Sequence, residues 1–236
     1  MVLPQFARQN RTLNPELKIY DKLLQFPLFQ GMSHTELMQV VTHTKMGFTK
    51  QMAGKTIVNE GTPCTHLLFL ISGTIQALTY SDDRAYSVTE HLSAPYIIQP
   101  ERLFGIGQRY SSQFKTETDC HFITIDKQEV LLLLETQLVF RLNMLNLLAT
   151  ESQRLSQHPW RTVPATLRSA LIRFFLQHTL RPAGSKTYHI LMKRLAAEQG
   201  CSRLEVSQAL NSMQADGLLT LHRGRIEISM LERLLM

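Results

Sequence analysis

The chain has 236 residues, of which 44% are hydrophobic, and a formal net charge of +6. This length allows one or two domains. The three cysteines, Cys64, Cys120 and Cys201, are too far apart for a disulfide framework or a CxxC metal site. The sequence begins without an apolar signal region and has no run near the ~18 apolar residues that a membrane span needs. We therefore expect a cytoplasmic protein with no metal site and no membrane partner.

The first third of the chain begins with helical segments and then changes to short β-type runs. A weak helix is predicted after Asn14-Pro15, and a second over Ser33–His43, where Ser33 and Glu36 form a capping box. Short strands with a turn every ~8–12 residues predict an antiparallel jelly roll or barrel. The predicted strands span 55–58, 67–71, 74–80, 86–92, 96–98, 114–118 and 121–125.

The longest uninterrupted helical signal covers residues 126–158, with Asp126 as its N-cap. Apolar residues lie on two faces of this helix, so it needs two partners. We predict that one face packs on the β domain and the other on the same helix of a second subunit. The alternative is a helix buried within one domain. The predicted dimer face consists of Leu138, Leu142, Leu145, Ala149 and Ser152.

After a hinge at His158-Pro159, the pattern predicts a helix over Pro164–Leu180, a short strand at 189–191 and two helices joined by a tight turn. The first of these helices covers 191–199, and Ser202 opens the second with a capping box to Glu205. A β-hairpin over 218–228 and a last helix over 230–235 follow. Two short helices and a hairpin are typical of a winged helix-turn-helix, whose second helix enters the DNA major groove.

Charge is concentrated in the same part of the chain. Residues 160–236 contain eleven Lys or Arg and five Asp or Glu, which accounts for the whole net charge of +6. A basic domain attached to a neutral one indicates binding to the DNA phosphate backbone, although a merely basic surface is the simpler alternative. The candidate base-reading residues are Arg203, Leu204, Ser207 and Gln208, and the candidate phosphate contacts are Ser202, Asn211, Arg223 and Arg225.

This order of elements resembles the cyclic-AMP receptor protein and fumarate–nitrate regulator (Crp/Fnr) superfamily, over roughly residues 46–235. The sharpest match is Gly200-Cys201-Ser202-Arg203, with Val206, Leu210 and Leu218 in step. The resemblance implies an α+β bacterial transcription regulator, not an enzyme, that binds a palindromic double-stranded operator as a homodimer and can contact the transcription machinery. Its implied parts are a jelly-roll sensor domain (1–125), a dimerisation helix with a hinge (126–159) and a winged helix-turn-helix domain (160–236).

The resemblance fails at the cassette that holds the nucleotide in the cyclic-nucleotide-binding members. Their Gly-Glu pair falls on Gln99-Pro100, and their Arg-Ser pair, eleven residues later, on Tyr110-Ser111. A Tyr side chain lacks the charged, forked donor that a phosphate needs, so cyclic AMP is not expected. The base-contacting pair falls on Gln153-Arg154. The candidate effector pocket comprises Ile98, Gln99, Glu101, Arg109, Tyr110, Ser111, Gln153 and Arg154.

Several readings of the pocket stay open at this point. Arg109, one residue from Tyr110, is a possible substitute cation, and another small anion or a lipid-like ligand is possible. The pocket could equally be a filled core. The C-x-H spacing of Cys64 and His66 allows haem, but residues without a cofactor are the simpler reading. The effector therefore stays unidentified, and no cofactor is certain.

On the DNA side, the family's base-reading positions fall on Arg203, Leu204 and Gln208. Arg203 suits guanine, Leu204 replaces the family's Glu and can only contact a thymine methyl, and Gln208 replaces its second Arg and suits adenine. We expect an operator that differs from the family's best-known site at the last two positions. The alternative function is a small-molecule sensor that acts mainly through protein–protein contacts. An enzyme is not expected, since HExxH, Walker and nucleophile–base patterns are missing.

Overall fold

The computed structural model describes residues 15–156 and 162–235. The chain begins with helix α1 (Pro15–Leu23), a 3₁₀ turn (Pro27–Phe29) and helix α2 (His34–His43). The predicted capping box begins α2: the Ser33 N–H donates to Glu36 Oε2 over 2.7 Å, and the Glu36 N–H donates to Ser33 Oγ over 3.3 Å.

Eight strands follow in two antiparallel sheets, which form the β-roll of a mixed α/β fold. One sheet has the order β1-β8-β3-β6, and the other contains β5-β4-β7-β2. Inward-facing side chains of both sheets, such as Phe69 and Phe114, share one apolar core. The strands are β1 (Met46–Gln51), β2 (Thr56–Val58), β3 (His66–Ser72), β4 (Thr74–Tyr80), β5 (Ser87–Ser93), β6 (Tyr96–Ile98), β7 (Gln113–Thr116) and β8 (Cys120–Asp126).

The prediction of one uninterrupted helix over residues 126–158 is wrong. The chain forms α3 (Lys127–Thr136) and α4 (Leu138–Ser156), bent by 114° at Gln137. Asp126 caps α3 as predicted, by accepting from two backbone N–H groups. The bend lets each helix bury its own apolar side chains in the same core, Val130 and Leu133 from α3 and Phe140 and Met144 from α4. The predicted hinge at His158-Pro159 lies outside the described residues.

The C-terminal part has a second apolar core of its own. Helix α5 (Leu167–Gln177) is shorter than predicted and begins at the N-cap Thr166. The predicted strand at 189–191 is wrong in position, because β9 spans Lys186–His189. The remaining elements are α6 (Met192–Gln199), α7 (Arg203–Ala215), β10 (Thr220–His222), β11 (Arg225–Ile228) and a 3₁₀ turn (Leu231–Leu235).

One sheet continues from the β-roll into the C-terminal part. Strand β9 pairs with β11 on one side and with β5 on the other, which gives a seven-stranded sheet of order β10-β11-β9-β5-β4-β7-β2. Val88 of β5 belongs to the second core and not to the first. The two cores are therefore joined by backbone pairing as well as by the connection that follows α4.

None of the described helices alone has the length and apolarity to cross a membrane. Helices α3 and α4 would have the required length and apolarity only if they were taken as one segment, and they are bent by 114° relative to each other.

Candidate functional site

Helices α6 and α7 meet at a tight turn whose geometry follows from Gly200 and Ser202. Gly200 has a φ of 63°, in the left-handed region that glycine adopts without steric cost. The Ser202 N–H then donates to Glu205 Oε2 over 2.8 Å, and the Glu205 N–H donates to Ser202 Oγ over 3.2 Å. These bonds lower the pKa of Glu205. Glu205 is thus used as a cap, as predicted, and Ser202 Oγ, a candidate phosphate contact, is already an acceptor in that cap.

Helix α7 has one buried face and one open face. Val206, Leu210 and Met213 are completely buried in the second core. The opposite face is polar apart from Leu204, whose side chain is 68% exposed. Leu204 is thus an isolated apolar side chain that the described residues leave largely uncovered. The four predicted base-reading residues lie on the N-terminal half of α7, with Ser207 half-buried and Arg203, Leu204 and Gln208 exposed; Asn211 is exposed farther along the helix.

A groove of about 410 Å³ lies between the N-terminus of α7, the start of α6 and the β10–β11 hairpin. Arg203 reaches it from α7, and Arg223 and Arg225 reach it from the hairpin, so the structure brings these three predicted residues together. Lys193 and His222 also line the groove. Sequence reasoning did not select these two, although Lys193 directly follows the start of the first motif helix and His222 stands in the predicted hairpin turn.

Glu227 offsets part of the positive charge of the groove. Its carboxylate lies 3.0 Å from Arg225 Nε and 3.3 Å from His222 Nε2. Within the described residues, no carboxylate lies at ion-pair distance from Arg203 or Arg223. These two guanidinium groups are therefore the ones whose charge is left for an external anion.

The cassette residues in the β-roll are tied to each other. Gln99 has φ 39° and ψ 57°, a left-handed conformation, and begins the 3₁₀ turn Pro100–Arg102. Its side chain, 2% exposed, donates to Ser111 Oγ over 2.6 Å and accepts from the Ser111 N–H over 2.9 Å. The structure thus brings two predicted pocket residues together, and their polar groups satisfy each other.

Tyr110 supplies no charge to this cassette. Its ring is 4% exposed, and its hydroxyl donates to the His66 carbonyl over 3.5 Å. Burial raises the pKa of Tyr110 and that of the neighbouring Cys64 thiol. Cys64 is buried and its thiol points to the His66 carbonyl, whereas the His66 ring is exposed and bonded to Thr65 Oγ1 over 2.8 Å. Cys64 and His66 therefore do not present two ligands to one haem position.

Arg109 lies on the exposed side of the segment that contains Tyr110. Its guanidinium is exposed and donates to the Gly61 carbonyl over 2.7 Å, and its backbone bridges to Pro63. Neighbouring residues of an extended segment point to opposite sides, and Tyr110 is the one that points inward. In this arrangement, the Arg109 guanidinium and the Tyr110 ring lie on opposite sides of the segment.

The predicted pocket residue Arg154 of α4 is held in an ion pair with Glu151 of the same helix. Arg154 binds Glu151 through two nitrogens, over 3.0 Å and 2.5 Å, and this contact raises the pKa of Arg154. Gln153 is exposed. Glu101 is half-buried, and burial raises its pKa. The remaining predicted pocket residue, Ile98, is completely buried in the apolar core. Among the predicted pocket residues that are not exposed, Gln99 is thus bonded to Ser111, Arg154 is paired with Glu151, Ile98 and Tyr110 are buried, and Glu101 is acidic.

The predicted dimer face of α4 is open along its whole length. Leu138, Leu142 and Leu145 are 57%, 49% and 57% exposed, and Ala149 and Ser152 are exposed as well. The opposite face of α4 packs on the 3₁₀ turn at residues 27–29, where Phe140 meets Phe29 with ring centroids 5.4 Å apart. Asn143 also donates to the carbonyls of Leu28 and Gln30.

Comparison with known proteins gives the class of the β-roll. Residues 49–137 match the family described as "Cyclic nucleotide-binding domain", so the chain contains such a domain. Comparison with curated protein sequences gave no significant match.

Solved structures extend the similarity to most of the chain. The catabolite activator protein of Thermus thermophilus is 20% identical and has a TM-score of 0.50, with 89% of this chain and 96% of that chain covered. The sensor domain of the transcriptional regulator DNR from Pseudomonas aeruginosa is 17% identical with a TM-score of 0.51, covering 64% and 98%. A putative Crp/Fnr-family regulator from Eubacterium rectale is 20% identical with a TM-score of 0.48, covering 89% and 96%.

At these identities the comparisons establish the fold. Of these neighbours, the two with a TM-score of at least 0.50 are a catabolite activator protein and the sensor domain of a transcriptional regulator.

Proposed function

We propose that this protein is a sequence-specific, homodimeric transcription regulator of the bacterial cytoplasm that binds double-stranded DNA through a C-terminal winged helix-turn-helix domain. The observation that carries the proposal is the groove in which Arg203, Arg223 and Lys193 meet beside the exposed face of α7. A helix that buries one face and presents Arg and Gln on the other suits the major groove, and a basic hairpin beside it suits the phosphates.

The proposed division of the chain is a sensor domain (1–125), a dimerisation helix with a hinge (126–159) and a DNA-binding domain (160–236). Leucines of α4 that are about half exposed support the dimer, because a second copy of α4 would cover them. A dimer with two recognition helices accounts for a palindromic operator. Contacts with the transcription machinery follow from this role.

For the effector, we propose that the sensor domain has a degenerate cassette and does not respond to cyclic AMP. In place of a Gly-Glu and an Arg-Ser pair stand Gln99-Pro100 and Tyr110-Ser111. The Gln99 side chain is hydrogen-bonded to both the hydroxyl and the backbone N–H of Ser111, and the buried Tyr110 side chain carries no positive charge. A cyclic phosphate would lose its hydration there without gaining a charged donor, which is unfavourable.

DNA binding is tested with a duplex recovered by selection from random sequence. The logarithm of the association constant should fall linearly with the logarithm of salt concentration, with a slope of about −0.9 for each phosphate contact. Arg203→Ala should cost about 1–3 kcal/mol on the selected duplex and relax the preference at one base pair. Fluorescence anisotropy measures both quantities.

The matched control is Lys115→Ala, which removes an exposed positive charge from β7 in the sensor domain. It should leave the affinity and the salt slope unchanged. Binding that does not respond to salt, or no selected duplex at all, would reject the DNA-binding function and favour a sensor that acts through protein contacts.

A further inference from the structure

The pairing of β9 with β5 attaches the C-terminal domain to the sensor domain through backbone hydrogen bonds. Four residues of each strand are in register, from Ser87 opposite His189 to Glu90 opposite Lys186. At the last of these pairs, two side chains of opposite charge face each other inside the protein. The Glu90 and Lys186 side chains are 1% and 0% exposed, and Glu90 Oε2 lies 2.9 Å from Lys186 Nζ.

Glu90 is a strand residue of the sensor domain, but its carboxylate is bonded to the C-terminal domain. It accepts from the Leu180 N–H over 2.6 Å and from the Arg181 N–H over 3.2 Å, in addition to Lys186. Lys186 Nζ also donates to the Ala183 carbonyl over 2.9 Å. The loop after α5 and the start of β9 are thus held together around one carboxylate from the other domain.

The ion pair stands at the boundary between the two apolar cores. Val88, two residues before Glu90, packs in the second core, and Leu92, two residues after it, packs in the first. Alternate strand residues share one face of a sheet, so Glu90 lies between the two cores on that face. Moving β9 along β5 would leave both charges buried without a partner, which costs far more than the pair gains. The pair therefore selects one register of docking.

Two further contacts join the two domains beside the β5–β9 pairing, and we call this whole boundary, from Asp83 and Tyr86 to Glu90 on one side and from His178 to Arg194 on the other, the seam. The Tyr86 hydroxyl lies 2.9 Å from His178 Nε2, and Arg194 of α6 lies 2.8 Å from Asp83 in the β4–β5 turn. The exposed face of α7 takes no part in the seam, because Leu204 and Gln208 stay open in the docked arrangement. The seam thus orients the recognition helix without covering it.

We infer that Glu90 and Lys186 are positioning residues for DNA binding: they fix the direction in which each recognition helix points from the dimer, and so the distance between the two half-sites that the dimer accepts. The inference rests on the proposed function. Half-site spacing in such dimers is a geometric property, because the two helices must enter successive major grooves. A domain held only by its covalent connection would accept several spacings.

The test measures affinity for a series of palindromes in which the two selected half-sites are moved apart or together by one and two base pairs. The variant is the double substitution Glu90→Gln with Lys186→Met. Glutamine keeps an acceptor for the Leu180 N–H, and methionine keeps most of the lysine stem, so both charges leave together and neither stays buried alone. The control is Lys50→Met, which breaks the ion pair with Asp119 inside the sensor domain.

Wild type and Lys50→Met should prefer one spacing. In the double variant, the ratio of affinities between the preferred spacing and its neighbours should fall about tenfold, while the affinity for a single half-site stays unchanged. Tenfold corresponds to ~1.4 kcal/mol. An unchanged ratio in a folded variant overturns the inference. If wild type binds no duplex, the proposed function fails instead.

A second measurement reports on docking without DNA and keeps the inference testable if the double variant is less stable. Hydrogen exchange of peptides that cover β5 and β9 should speed up in the double variant, while peptides that cover β3 and β8 keep their protection. Equal exchange of β5 and β9 in the two proteins would show that the ion pair does not hold the domains together.

Discussion

At the scale of single residues, Gln99 combines an unfavourable backbone conformation with favourable side-chain bonds. Its φ of 39° is in the left-handed region, which costs a residue with a Cβ roughly 1–2 kcal/mol. The two bonds to Ser111 offset that cost. The Gly of the Gly-Glu pair in the Crp/Fnr superfamily, which this chain resembles, falls on this position. A glycine adopts the left-handed conformation without steric strain.

Replacing Gln99 separates these two contributions. Gln99→Ala should lower the free energy of unfolding by about 1–3 kcal/mol, because the Ser111 N–H loses its buried partner. Gln99→Gly loses the same bonds but relieves the strain, so it should be about 1 kcal/mol more stable than Gln99→Ala. Urea denaturation of both variants measures the difference.

The control for this comparison is Gln76, a residue of β4 with an ordinary extended backbone. There the order should reverse, with alanine more stable than glycine by roughly 0.5–1 kcal/mol. The same order at both positions would contradict the left-handed conformation of Gln99.

Bonds between residues close in sequence were predictable, and bonds between distant residues were not. The capping boxes at Ser33 and Ser202 each join residues three positions apart, and the sequence alone predicted both. The bonds of Gln99 join it to a residue twelve positions away. The resemblance placed both residues in the cassette, but only the fold determines that their polar groups bond to each other.

At the scale of elements, periodicity located seven of the eight strands of the β-roll and missed β1 (Met46–Gln51), and it failed where tertiary packing decides. β4 and β6 have the predicted ends, whereas the helix predicted over 126–158 bends at Gln137. Apolar residues on two faces of that segment were read as two partners for one straight helix. Part of this apolar surface instead packs on the β-roll, because the bend brings both α3 and α4 against the same core. The face of α4 that remains exposed still predicts a second subunit.

Leu145→Glu should dissociate the proposed dimer. In a symmetric interface each substitution occurs twice, and each buried leucine contributes about 1.5–3 kcal/mol, so the dimer should lose ~3–6 kcal/mol. The free energy of unfolding of the monomer should stay nearly unchanged, since Leu145 is 57% exposed in the single chain. Sedimentation equilibrium gives the dissociation constant.

Ile106→Glu is the matched control, because Ile106 is a fully exposed apolar residue of the loop between Gln99 and Tyr110 and is not part of α4. This variant should stay dimeric. If Leu145→Glu has the same dissociation constant as wild type, the exposed face of α4 is not the dimer interface.

At the scale of the whole molecule, the charge distribution was predictable because it is a property of the sequence, and the docking of the two domains was not. The predicted boundary at residue 160 treats the β domain and the C-terminal domain as separate units. The fold instead places Val88 of β5 in the C-terminal core and buries Lys186 against Glu90. The burial of a lysine at the start of a short strand has no sequence signal, because its partner Glu90 lies about a hundred residues away.

This seam also makes stability depend on pH through His189. Its Nε2 lies 3.3 Å from Thr89 Oγ1 across the β5–β9 pairing. His189 is exposed at the surface, and the partial desolvation of its ring, followed by the charge of Arg225, lowers its pKa below the ordinary value of 6.5. Between the lowered pKa and 6.5, the unfolded chain therefore binds a proton that the folded chain does not. Stability from this group is present above pH 6.5 and is lost as the pH falls through the lowered pKa.

His189→Gln should remove this dependence, because glutamine does not titrate and can still bond to Thr89. Urea denaturation between pH 7.5 and pH 5 should show a steeper loss of stability on acidification for wild type than for the variant, and the difference should begin near pH 6.5. His43→Gln, a change on the exposed surface of α2, is the control for the other histidines and should follow wild type. Because β5 and β9 join the two domains, the same acidification should lower the hydrogen-exchange protection factors of β9, which are corrected for the intrinsic pH dependence of exchange, in wild type and not in His189→Gln. Parallel stability curves for the two proteins would exclude His189 as the titrating group of the seam.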